Sequence, residues 1–96
     1  MSLNDFIRGF IERSIDETIQ LIPTLIKGVR ASKTDLQITT ESDYIFGLVT
    51  GYTMGKFEMF YRTAYFKSPS MDEYDEIAGI IARRSRDIKD AIFASG

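Results

Sequence analysis

The chain contains no cysteine, no histidine and no tryptophan, and only two prolines. Without cysteine there is no disulfide framework, no thiolate zinc site and no thiol nucleophile. Without histidine there is no imidazole base near neutral pH and no imidazole ligand for a transition metal. Hydrolytic chemistry would fall to carboxylates, Lys, Tyr and Ser, and no Gly-rich phosphate loop is present. An enzyme is therefore not expected. Net charge is only −2 and the pI about 5.0, so no overall field draws the chain to nucleic acid or anionic lipid. The longest uncharged run, Tyr44 to Gly55, falls short of the ~20 residues that span a bilayer. The N-terminus lacks the basic segment, apolar core and small-residue cleavage site of a signal peptide. A cytoplasmic protein is expected.

What the chain does hold is enough apolar material for one core. Its 96 residues are 44% hydrophobic and 27% charged, ordinary proportions for a single globular domain. Ser2 with Asp5 predicts a capping box opening the first helix. Leu3, Phe6, Ile7, Phe10, Ile11, Ile15, Ile19 and Ile22 then recur with helical period. The opposite face offers Arg8 with Glu12 and Arg13 with Glu17 as i, i+4 pairs. Pro23 removes a backbone hydrogen bond and clashes with the preceding turn. It predicts either a kink or, as the favoured outcome, a stop and a short second helix carrying Leu25, Ile26 and Val29 to about Ser32.

Residues 33–40 lack periodicity and are expected to form a loop. A Thr40/Asp43 capping box predicts a third helix from Glu41 to about Phe66. Its apolar residues lie nearly all round, the mark of a central, buried helix. Lys67-Ser-Pro-Ser breaks the pattern, and a Ser70/Glu73 box opens a fourth helix with Tyr74, Ile77, Ala78, Ile81, Ile88 and Ile92 on one face. The expectation is an all-α, antiparallel up-and-down helical bundle in one domain (1–96). It has four helices with a short second one, or three if Pro23 only kinks the first.

Three features are candidates for function. Gly47, Gly51 and Gly55 share one side of the third helix, and each weakens an isolated helix by about 1 kcal/mol. The favoured explanation is close packing of a neighbouring helix against that bare side. A self-association surface, hence a weak homodimer, and a ligand groove are the alternatives.

The second feature is acidic: Asp72, Glu73, Asp75 and Glu76 at the start of the fourth helix, with Asp35, Glu41 and Asp43 around the start of the third. With His and Cys missing, only a hard, oxygen-bound cation suits such donors, and Ca²⁺ tolerates an irregular shell best. No EF-hand pattern is present. Acids in a first helical turn also complement the macrodipole without any metal. As catalytic pairs, Asp72/Asp75 and Glu73/Glu76 would sit in a solvated turn that gives no reason for their pKa values to separate.

The third is the aromatic run Phe57, Phe60, Tyr61, Tyr65 and Phe66, which is either a broad core lining or a partner surface. The bases Lys27, Arg30 and Lys33, and Arg83, Arg84, Arg86 and Lys89, are interrupted by Asp87 and Asp90 and do not point to nucleic acid. A small non-enzymatic binding module results. Weakly bound Ca²⁺ leads as its ligand, and a metal-free protein-interaction or regulatory subunit is the alternative.

The scarcity of thermolabile residues (one Asn, two Gln, no Cys) and the dominance of Ile among the aliphatics complete the picture. In this whole-chain character the sequence resembles the small uncharacterised helical proteins of hyperthermophilic archaea. That resemblance involves no diagnostic motif and implies no site residue and no activity.

Overall fold

The structure, a computed structural model, describes residues 4–95. Among them lie five helices and no strand: α1 (Asp5–Ala31), α2 (Lys33–Leu36), α3 (Glu41–Tyr65), α4 (Met71–Arg83) and α5 (Ser85–Ser95). The all-α class and the bundle are as the hydrophobic periodicity predicts, but several boundaries differ. The Ser2 capping box lies outside the described residues. The cap of α1 is Asn4, whose side-chain oxygen accepts the Ile7 N–H at 2.9 Å. That satisfies one of the donors a helix start leaves open.

Pro23 neither ends α1 nor begins a second helix; it lies inside a continuous run of 27 residues. A helix-interior proline costs about 3 kcal/mol. Against this, Ile7, Ile11, Ile15, Ile22, Ile26 and Val29 form one buried stripe that runs straight past it. Burying each such side chain contributes roughly 1.5–3 kcal/mol, so packing outweighs the local penalty. Pro23 itself is on the exposed side, where water can reach the Ile19 carbonyl it leaves without an N–H partner.

The short helix instead falls in the segment expected to be a loop. α2 is a single turn, closed by Gln37 in the left-handed region at φ 54°. Thr40 does precede α3, but its hydroxyl makes no capping bond, so the Thr40/Asp43 box is absent. The Ser70/Glu73 box is present in full, with Ser70 Oγ accepting the Glu73 N–H and Glu73 Oε1 accepting the Ser70 N–H. The fourth predicted helix divides at Arg84, whose N–H turns to the Ile80 and Ile81 carbonyls and tightens the last turn.

Three rods make the bundle. α1 and α3 run antiparallel, since Asn4 donates to the Tyr65 hydroxyl at one end while Arg30 binds Glu41 at the other. The third rod, α4 followed by α5, packs on both and runs along α1, with Glu76 beside Arg8 and Arg84 beside Glu12 and Asp16. The molecule measures 41 × 24 × 18 Å, and α1 at about 1.5 Å per residue accounts for the long dimension. Small polar groups sit in the core without penalty. Thr18 Oγ1 donates to the Ser14 carbonyl at 2.7 Å and Thr53 Oγ1 to that of Val49 at 3.0 Å.

Apart from Arg8 with Asp5 at 3.4 Å, the ion pairs of α1 run across helices rather than along it. Arg8 meets Glu76, Glu12 meets Arg84, and Glu17 meets Lys56. The expected Arg8/Glu12 and Arg13/Glu17 pairs give way because a partner on the next rod already lies within reach. Further along the chain Arg86 reaches Asp90 at 4.0 Å, and Asp87 is bound by Arg84 at 2.9 Å.

Candidate functional site

α3 buries only Ile45, Val49, Thr53, Phe57 and Tyr61. These are spaced four apart and form one narrow stripe, so α3 is not enclosed on all sides as its composition predicts. The glycines are where this matters most. Gly47, Gly51 and Gly55 are exposed, and a Cβ added at any of them would meet nothing within 4 Å. Helix packing on the glycine side is thus overturned. One helical turn is 3.6 residues, and Gly51 lies nearly opposite the buried stripe, on the side facing away from α1, α4 and α5.

The aromatic run divides. Phe57 and Tyr61 are core residues and not part of any partner surface. Their rings lie 5.8 Å apart, and Tyr74 meets Phe57 edge-on at 6.2 Å. Phe60 is half-buried under α1, stacked on Phe10 at 4.2 Å and followed by Phe6 at 6.0 Å. From there the aromatics reach solvent. Phe6 is 66% exposed, Tyr65 is exposed, and Phe66 is 91% exposed. Phe66 also caps α3 in the left-handed conformation, φ 57° and ψ 31°, a region that bulky side chains rarely adopt. The start of α1 and the end of α3, tied by the Asn4–Tyr65 hydrogen bond, thereby form one aromatic end of the bundle. The α3 half of this end is legible in the sequence, whereas Phe6 reads there only as part of a helical stripe.

The acidic residues do not assemble. Among the described residues no group of three or more Asp and Glu could hold a metal ion. Glu73, only 3% exposed, accepts the Tyr61 hydroxyl at 2.8 Å and the Ser70 N–H at 2.9 Å. Burial pushes its carboxyl up, but the hydrogen bonds from Ser70 and Tyr61 pull harder and hold it below the ordinary carboxylate value. Burial together with the neighbouring carboxylate raises the Tyr61 hydroxyl to about 12. Glu41 is bridged by both Arg30 and Lys33, and the Arg30 hydrogen bond keeps its carboxyl low. Glu76 faces Arg8 at 2.8 Å. Glu41 and Glu73 therefore serve as structural anchors. Asp35, Asp43, Asp72 and Asp75 remain at exposed positions.

Arg84 is a centre that no sequence pattern singled out. Its guanidinium binds Glu12 Oε1 at 2.8 Å, Asp16 and Asp87 Oδ2 at 2.9 Å, locking the α4–α5 break onto α1. The i, i+4 spacing of Glu12 and Asp16 was the available signal.

Fold and surface define an all-α helical bundle with an exposed aromatic end and an uncovered flank. No family model, no curated protein and no solved structure matches the chain.

Proposed function

We propose that the protein is a non-enzymatic protein-interaction module whose contact surface is the aromatic end formed by Phe6, Phe60, Tyr65 and Phe66. Phe66 carries the proposal. A phenylalanine that is almost wholly exposed gains nothing from burial, and the left-handed backbone costs it about 1–2 kcal/mol. Strain of this kind is retained where a side chain must be presented to something, and exposed aromatics are what interface cores are enriched in. Capture of partners by the wild-type protein and by the double variant Phe6→Ser, Phe66→Gly tests it. Partners held by the first and released by the second support the surface; an identical set on both overturns it.

In this reading the module works without a bound metal. Calcium at millimolar concentration is expected to leave the melting temperature unchanged, because Glu41, Glu73 and Glu76 are engaged by Arg30, by Tyr61 with Ser70, and by Arg8. A rise of several degrees, with amide shifts at residues 72–76 or 35–43, would return the acidic clusters to the role of ligands.

A further inference from the structure

We infer that the outward flank of α3 binds the same flank of a second copy of this chain, antiparallel, with the two-fold axis passing close to Gly51. From Tyr44 to Gly55 α3 carries no charge on any side, although only its inner side is covered. Surface helices normally place charged residues on the outer face, and a helix apolar all round is normally buried. Here Tyr44, Leu48 and Tyr52 stand exposed. Leu48 and Tyr52 continue into a 120 Å³ groove shared with Thr18, Leu21 and Leu25 of α1. The empty Cβ positions of the glycines let a second backbone approach closer than the usual 8–10 Å between helix axes.

The charges at the two ends of the helix identify the occupant and its direction. In an antiparallel pair centred on Gly51, a residue a given number of positions after Gly51 faces the residue the same number before it. Gly55 then meets Gly47 of the second copy, and Glu58 meets its Tyr44, whose hydroxyl can donate to the carboxylate. Arg62, which also holds its own Glu58 at 2.8 Å, arrives beside the exposed Asp43 at the start of the second α3. A parallel pair would instead set Glu58 against Glu58 and Arg62 against Arg62. Closed isologous pairs of this kind are the commonest form of oligomer. In this register Glu41 to Tyr61 of each α3 overlap, so the contact is about 31 Å long. A strip that narrow buries less than the ~800 Å² per partner of a standard interface, so the dimer is weak and reversible. The aromatic end lies outside this contact, and the inference does not depend on it.

Sedimentation equilibrium from about 10 µM to 1 mM, a range that brackets weak association, is expected to show the mean mass climbing from 10.9 kDa toward twice that value. Gly51→Arg and Leu48→Glu, both at exposed positions, are expected to stay folded by circular dichroism and to remain monomeric. Because the chain has no cysteine, register can be read directly by mild oxidation with diamide. Gly51→Cys should cross-link with itself, and Gly47→Cys should cross-link with Gly55→Cys far faster than with itself. A wild-type mass fixed at 10.9 kDa over the whole range overturns the inference. So does a dimer that both charge variants leave intact, or preferential Gly47→Cys self-linkage. Partner capture through Phe66 should be the same in Gly51→Arg as in the wild type, so the two surfaces succeed or fail separately.

Discussion

At the scale of single residues, Glu73 joins two parts of the molecule with one carboxylate. It closes the start of α4 through Ser70, satisfies the hydroxyl of Tyr61 inside the core, and so fastens α4 to α3. Its pKa is held below the ordinary value, so the stability it contributes is present above the usual carboxylate range and is lost as pH falls through the folded value. Tyr61 works in the opposite sense. Its pKa rises from 10.0 to about 12, so its contribution is complete below pH 10 and is lost as pH climbs from there toward 12. Thermal melts against pH should therefore fall at both limbs. Glu73→Gln is expected to flatten the acid limb, and Tyr61→Phe the alkaline one. Phe66 gives the other prediction at this scale: Phe66→Gly should stabilise the protein by about 1 kcal/mol, measured by urea denaturation, by relieving the left-handed strain.

At the scale of elements, α1 and α3 show local propensity and packing pulling apart. Pro23 should divide α1, yet six buried side chains hold the helix together across it. In α3 the three glycines should recruit a neighbour within the bundle, yet all three face outward. The sign of one substitution follows. Were Gly51 packed against a helix, alanine would overfill the contact and destabilise. With open space around it, Gly51→Ala is expected to stabilise the monomer by about 1 kcal/mol through helix propensity alone. Thermal melts at micromolar concentration, below the range of self-association, measure this directly. A drop in melting temperature would mean that something lies against that flank within the monomer.

At the scale of the whole molecule, ion pairs between rods set how the bundle closes. Arg84 at the α4–α5 break gathers carboxylates from two turns of α1 and one from α5, a network stronger than isolated surface pairs. Arg84→Ala should cost about 1 kcal/mol in low salt and less at high salt, where screening weakens the pairs in the wild type too. Guanidine-free thermal melts at two ionic strengths separate that effect from a loss of packing. The elongated shape, 41 Å against 18 Å, leaves much surface per residue, and this is why one flank of α3 and one end of the bundle stay uncovered.

Hydrophobic period and capping chemistry were enough to read the all-α class, the span of α3 and the Ser70/Glu73 box, because each depends on residues a few positions apart. The same holds for the α3 half of the aromatic end. What needed tertiary structure was everything decided by which rods meet. Nothing local shows that Ile22 and Ile26 would carry α1 through Pro23, that Glu73 would be drawn under Tyr61 rather than toward a cation, or that Glu12 and Asp16 would find Arg84 some seventy positions away. The outward turn of the glycines is of this kind as well: helical spacing places Gly47, Gly51 and Gly55 on one side, but only the packing of three rods determines which side of α3 faces water.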